Sequence, residues 1–214
     1  MIKLNELFKN TSYADTLFSE DAVTFIENAI LIKTAKDVEV PYIKCLVRGK
    51  EIKLTPEEAV RQLYIYKLMN EYGYEASRIQ LEIPIHFGRE VKRADIAIMD
   101  KDRPMVPYII VELKKPKLTD GKEQLKSYCN ATGAPIGVWT NGEQISCYSR
   151  KDPNFFEEIS DIPKATQRLS DIINEQFTYD DLKRKDKIST QKKSLRSLIK
   201  CSCTVRKQAT ENKR

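Results

Sequence analysis

No stretch of the 214-residue sequence stays apolar for the roughly 18 residues that crossing a bilayer as a helix requires. The N-terminus, MIKLNELFKNTSYADTL, lacks the continuous apolar core of an export signal, so a cytoplasmic location is expected. Histidine occurs once, as His86 between Ile85 and Phe87, which leaves histidine-based catalysis without a partner and points to a structural role. The five cysteines are odd in number and scattered. Only Cys201 and Cys203 are close, and a C-x-C pair without a second ligand pair is not a zinc pattern. Reduced thiols and no structural metal are therefore expected. Gly121-Lys122 is not embedded in a phosphate-binding loop, and G-x-x-x-x-G-K-[ST] occurs nowhere, so neither an ATP-driven motor nor a nucleotide cofactor is expected.

Glycine and proline are also sparse, at 7 and 9, while tyrosine reaches 10 and hydrophobic residues 41%. That composition belongs to a folded chain able to bury one substantial core. The net charge of +6 is unevenly spread. Residues 183–214 hold 12 Lys/Arg against 2 Asp/Glu, leaving 25 against 29 in residues 1–182. The body is thus mildly acidic, and the excess positive charge lies in a C-terminal stretch able to add non-specific attraction to phosphates.

Four zones follow. Residues 1–50 read as an N-terminal elaboration, with a helix over DAVTFIENAILI and an extended piece over VEVPYIKCLV. Residues 51–150 form the core. Residues 151–182 read as a helical extension, with a helix over PKATQRLSDIINEQF. Residues 183–214 read as a basic, disordered tail, with at most a helical turn or two over SLRSLI.

The core is the informative zone. Thr55-Pro56-Glu57-Glu58 is a strong helix start: Thr55 as N-cap, Pro56 in the first turn, and Glu58 closing a capping box. The helix carries Val60, Leu63, Tyr64 and Leu68 on one stripe and stops at Gly73. RIQLEIPIHFG alternates Ile79, Leu81, Ile83 and Ile85 with other residues, as a half-buried strand does. RADIAIMD is a second strand, DKDRP a turn, and PYIIVELK a nearly all-apolar third strand suited to the middle of a sheet. LTDGKEQLKSYCNAT is a helix capped by Thr119 or Asp120. APIGVWT and EQISCYS form a hairpin across Asn141-Gly142. The order α-β-β-β-α-β-β predicts an α/β fold, a mixed central sheet flanked by helices.

Three residues carry the chemistry. Asp95 lies on the second strand, and Glu112 and Lys114 on the third, two apart and so on one face, while Val111 and Leu113 turn to the other and pack into the core. Pairing of these strands can set Asp95 beside Glu112. Two carboxylates at one point suit a hard, oxygen-seeking cation, Mg²⁺ first and Mn²⁺ as a substitute. A lysine alongside offsets charge on a phosphate or positions and activates the attacking water. Glu-x-Lys on an ordinary strand is a solvent-facing pair. Here the strand is apolar enough to be interior, and Asp95 stands between Ala94 and Ile96, where charge is costly.

The runs TPEEAVRQ, RADIAI, VELKKP, QLKSY and WTNG, in this order across about residues 40–150, resemble the N-terminal nuclease domain of type I restriction enzyme R subunits, part of the PD-(D/E)xK nuclease superfamily. The resemblance implies a restriction-endonuclease-like core with Asp95, Glu112 and Lys114 as its D…ExK triad. Ala94 stands where the pattern's proline would be. It further implies Gln124 and Tyr128 as a QxxxY motif, and Glu58 (or Glu57 in its place) as the upstream helix carboxylate completing the metal set with Asp95 and Glu112. The Leu113 carbonyl is a further candidate ligand, and Arg61 a neutralising or phosphate-holding cation. The expected activity is Mg²⁺-dependent DNA cleavage in a restriction system, with DNA and other subunits or domains of a restriction–modification complex as partners. Sequence choice would be delegated to those subunits. The alternative is a catalytically silent nuclease-fold module for DNA binding or complex docking. A nuclease for RNA or branched DNA would share the same site.

Overall fold

The computed structural model describes residues 2–11, 13–35, 38–113, 120–152 and 155–174. Lys114, Thr119, SLRSLI, Cys201, Cys203 and the whole basic stretch 183–214 lie outside the described residues. The chain divides into two compact units, residues 1–169 and 170–214. Of the second, residues 170–174 are described and are helical.

The first unit opens with helices α1 (Leu4–Phe8) and α2 (Glu20–Asn28), then strands β1 (Ile30–Ala35), β2 (Val38–Lys44) and β3 (Glu51–Lys53), which form a small antiparallel sheet in that order. The helix expected over DAVTFIENAILI therefore stops at Asn28. Ile30, Leu31 and Ile32 pair with Ile43, Tyr42 and Pro41, because β-branched residues beside a strand partner gain more as a pleated edge than as a last helical turn. VEVPYIKCLV is extended only to Lys44; beyond it the chain turns, with Gly49 N–H donating to the Cys45 carbonyl.

Helix α1 is tied to α2 through Glu27, whose carboxylate accepts Lys3 Nζ at 2.6 Å and the Leu4 amide at 2.9 Å. Burial works against the Glu27 charge, but these donors outweigh it and hold the carboxyl below the usual glutamate range. A depressed folded-state pKa contributes stability that is complete above the unfolded value, about 4.3, and is lost as pH falls through the folded one. Glu27→Gln should cost about 1–2 kcal/mol at pH 7. Its urea midpoint should converge with that of the parent below about pH 4; a gap independent of pH would refute this account.

Helix α3 (Pro56–Asn70) begins as expected: Thr55 caps it by accepting the Glu58 amide at 3.2 Å, with Pro56 in the first turn. Val60, Leu63, Tyr64 and Leu68 are all buried. So are Ala59, Arg61, Gln62 and Ile65, so the helix lies inside the protein for most of its circumference. It ends before the left-handed Gly73, φ +76°.

Next come β4 (Ile79–Phe87), β5 (Glu90–Met99), β6 (Pro107–Leu113), helix α4 (Asp120–Thr132), β7 (Ile136–Thr140), β8 (Ile145–Asp152) and β9 (Phe155–Ile159). The six strands form one sheet in sequence order, with β6 and β7 parallel and the other neighbours antiparallel. A parallel pair needs a crossover, and α4 supplies it. Its Leu125, Tyr128 and Cys129 pack on Ala97, Ile110 and Trp139 of the sheet. This is the mixed sheet flanked by helices that the sequence predicts.

Four details differ. The second core strand starts at Glu90, three residues early, because the two-residue turn Gly88-Arg89 lets Phe87 pair with Glu90. Asp120 is already helical, so it is not the cap of α4. The β7–β8 connection has four residues, since Thr140 pairs with Ile145; Asn141 Oδ1 accepts the Glu143 and Gln144 amides at 2.9 and 2.7 Å, and Thr140 Oγ1 accepts the Gly142 amide at 3.3 Å and donates to the Gln144 carbonyl at 2.8 Å. The stretch after residue 152 adds a sixth strand, β9, and the expected helix over PKATQRLSDIINEQF begins only at residue 169. Before it, the chain is tied to the end of α3: Tyr74 Oη donates to the Pro163 carbonyl at 2.7 Å, and the Ala165 amide to the Tyr72 carbonyl at 2.8 Å. Those backbone groups are taken by tertiary partners, and Pro163 brings no amide of its own to a helix.

Candidate active site

The β5–β6 ladder runs from Met99/Pro107 to Ile96/Val111 and then ends. The next residue on each strand is an acid, Asp95 on β5 and Glu112 on β6. Where backbone pairing stops, the Asp95 side chain replaces it: Oδ2 accepts the Leu113 amide at 2.8 Å, one residue beyond Glu112. On its other side the β4–β5 pairing also skips this point, joining Leu81 to Ile96 and Ile83 to Ala94 around Glu82. Glu82 is left-handed, φ +53°, an uncommon state for a residue with a side chain. Strain of this kind gathers at functional sites.

Helix α3 meets Asp95 through Arg61, which is 8% exposed. The Arg61 guanidinium donates to Asp95 Oδ1 at 2.9 Å, Glu58 Oε2 at 2.5 Å and Glu57 Oε1 at 3.1 Å. Gln62 Nε2 adds a bond to Glu58 Oε1 at 2.7 Å, and Tyr13 Oη one to Glu57 Oε2 at 3.2 Å. Glu58 thus completes only half of a capping box. Its amide is capped by Thr55, but its carboxylate turns to Arg61 and Gln62, because a buried cation holds it more strongly than a solvated helix end can.

One guanidinium shared among three carboxylates leaves the cluster short of positive charge. Burial pushes the Asp95 carboxyl above the usual aspartate range despite the opposing pull of the Leu113 amide and Arg61. Burial also opposes the charge on Arg61, yet Glu58, Asp95 and Glu57 together raise its pKa. An acid held at that cost fits a place prepared for cationic or transition-state charge.

Glu112 is 1% exposed. A solvent-facing Glu-x-Lys pair is therefore ruled out for its first member, and Lys114 lies outside the described residues. Glu112 is paired in register with Trp139 of β7 and shares the parity of Ile110, which packs under α4. Val111 and Leu113 are buried, as expected. Tyr128 is fully buried among the core residues beneath α4, and half-buried Gln124 donates its amide to the Tyr128 hydroxyl. His86 is exposed on β4, and Trp139 belongs to the core.

The structure thus joins Asp95, Glu58 and Glu57 through Arg61, and links Asp95 to the residue following Glu112. Among the described residues, no group of three or more His, Cys, Asp or Glu side chains is arranged to hold a metal ion. Even so, the donors of Asp95 and Glu112 are carboxylate oxygens, on adjacent positions where two strands part, and these suit a hard divalent cation. Glu58 is less free, since both of its oxygens already accept hydrogen bonds. Sequence reading missed Tyr13 and Gln62. Gln62 is signalled by its i,i+4 spacing from Glu58; Tyr13, 44 residues from Glu57, has no local signal.

Taken together, a mixed α/β sheet, a crossover helix and acids at the fork of two central strands are consistent with a nuclease-like core. The family of the type I restriction enzyme R protein N terminus matches residues 56–163, from α3 through β9, and the chain belongs to this family. No curated protein matches the chain. Among the described residues no helix is long and apolar enough to cross a membrane.

Proposed function

We propose that the chain is the DNA-cleaving domain of a restriction system, a Mg²⁺-dependent deoxyribonuclease acting through Asp95, Glu112 and Lys114. The observation that carries the reading is the fork at Ile96/Val111, where Asp95 substitutes for the missing ladder and Glu112 follows on the facing strand. Asp95 and Glu112 would hold the ion, with Mn²⁺ as a substitute and the Leu113 carbonyl as a further oxygen. When bound, the ion supplies Lewis-acid polarisation of the scissile phosphate and a lowered pKa for its water. Arg61 would orient Asp95 and favour its charged form against burial. Lys114 would steer the attacking water or offset charge growing on the phosphate, and Gln124, bonded to Tyr128, would contact substrate. One backbone P–O bond gives way to a bond from the water oxygen, and the departing oxygen takes up a proton. Partners would be DNA and the subunits or domains that choose the sequence.

Nicking of supercoiled plasmid in Mg²⁺ should fall more than about 100-fold in both Asp95→Asn and Lys114→Ala, beyond the 10–100-fold typical of groups that merely support metal ligands. Equal cleavage by parent and both variants would sink the assignment.

One observation favours a second reading, a silent nuclease fold kept for DNA binding or docking: both Asp95 oxygens are already engaged, by Arg61 and by the Leu113 amide. Calorimetric titration separates the two. Heat of Mg²⁺ or Mn²⁺ binding that vanishes in Asp95→Asn supports the enzyme, and no heat from a folded parent supports the silent module.

A further inference from the structure

Beyond the fork, β4 and β5 run on as a two-stranded ribbon. Residues Ile83–Phe87 pair with Glu90–Ala94, whereas the β6 register on β5 ends at Ile96. Five residues per strand span about 17 Å, enough to cross a DNA major groove, which admits a two-stranded ribbon and is about 12 Å wide. The turn is tight: Gly88, at φ +63°, occupies the first of two central positions, the site where the inward twist of a hairpin calls for glycine.

The two faces of the ribbon differ. Ile85 is buried in the core under α4, Phe87 packs against Tyr128 with ring centroids 6.0 Å apart, and Lys92, opposite Ile85, lies 5.9 Å over the Phe87 ring. That face is anchored. The other carries Pro84, His86, Val91 and Arg93, all exposed, with Arg89 exposed at the turn. Ala94 packs into the α4 core, so Arg93 before it turns to the opposite face, and Asp95 follows two residues beyond Arg93 on the same strand. They are about 7 Å apart along the strand.

Charge singles this ribbon out. Residues 1–182 are net acidic, yet residues 84–93 hold Arg89, Lys92 and Arg93 against Glu90 alone. Glu90 is engaged by Lys92 at 3.4 Å. Among the described residues neither Arg89 nor Arg93 makes a salt bridge, although Arg93 lies near enough to Glu82 to help lower its pKa, and exposed guanidiniums not held in a salt bridge are matched to phosphate.

We propose that the exposed face of this ribbon, through Arg89 and Arg93, grips the phosphate backbone of duplex DNA next to the bond presented to Asp95. The inference rests on the nuclease reading for its choice of partner, but not on turnover. It assigns these residues to backbone contact, not base recognition, consistent with a domain that does not select sequence.

The test is binding of the full chain to a fluorescent duplex in EDTA, followed by anisotropy from 50 to 200 mM salt. Each lost phosphate contact lowers the slope of log K against log salt by about 0.9. Arg89→Gln/Arg93→Gln should lower it by about 2 and weaken binding at least tenfold at the lowest salt. Both sites are exposed, so circular dichroism and melting should be unchanged. As a control, Lys192→Gln/Lys193→Gln samples the basic C-terminal stretch. An unchanged slope in the ribbon variant, a loss seen only in the C-terminal variant, or no DNA binding by the parent would each overturn the proposal. A reduced slope with no Mg²⁺-dependent cleavage by the parent would remove the nuclease reading and leave the ribbon standing. Cleavage with an unchanged slope would do the reverse.

Discussion

Arg61→Met is expected to destabilise the fold by about 3–5 kcal/mol, the range seen when one partner of a buried ion cluster is removed. Methionine keeps most of the volume and none of the charge. Glu57, Glu58 and Asp95 then face one another without the guanidinium that bonds all three at 2.5–3.1 Å. The Asp95 carboxyl, its pKa already raised by burial, loses one of the two donors that oppose that rise. Lysine should recover only part of the loss, because a single ammonium cannot fork across three carboxylates as a planar guanidinium does. Adding Glu58→Gln to Arg61→Met should restore part of the stability by removing one orphaned charge, an interaction that a double-variant cycle reads directly. Urea midpoints at pH 7 measure all five proteins, the single Glu58→Gln included, and a loss under about 1 kcal/mol in Arg61→Met would show that the cluster is solvated. Millimolar Mg²⁺ should narrow the gap if the acids bind it, since a ligand of the native state stabilises by mass action. This links the stability of the cluster to the proposed chemistry without an activity assay.

Gly142→Ala should cost about 3 kcal/mol or more, well above an ordinary glycine replacement. Gly142 has φ +89°, and a Cβ built there falls 1.9 Å from the Ala14 carbonyl oxygen and 3.3 Å from Val60 Cγ2. The obstacle is backbone, fixed in place by the Leu17 amide donating to the Gly142 carbonyl at 3.1 Å. A side chain would pry the segment before α2 off the β7–β8 loop, taking with it Tyr13 and its bond to Glu57. Gly88→Ala is the matched control. It has a similar φ, +63°, but open space around the added carbon, so it should lose only the left-handed penalty of about 1–2 kcal/mol. Equal thermal shifts in the two variants would show that the close approach at Gly142 does not exist.

These two residues also mark how far local sequence carries. Asn141-Gly142 announces a turn, and a turn is there, yet what makes its glycine indispensable is the Ala14 carbonyl, more than a hundred residues earlier in the chain. Arg61 is visible one turn after Glu58, and that spacing predicts their pairing. The third and most consequential partner, Asp95, comes from a strand 34 residues on. Likewise β9 was not legible, because Phe155–Ile159 gains its strand character from pairing with β8, not from alternation of its own.

Helix α3 with its Thr55 cap, the apolar run of β6, helix α4 and the strand positions of Asp95 and Glu112 were all readable from residues 55–150 alone. Each depends on a period, a cap or a spacing acting within a dozen neighbours, where side-chain geometry is already determined by the chain. Only the tertiary structure decided that the β5–β6 ladder opens at Ile96/Val111, that Asp95 fills the gap at the Leu113 amide, and that one buried arginine holds three acids. Those are encounters between distant segments, and burial, which sets their energies, is a property of the packed whole.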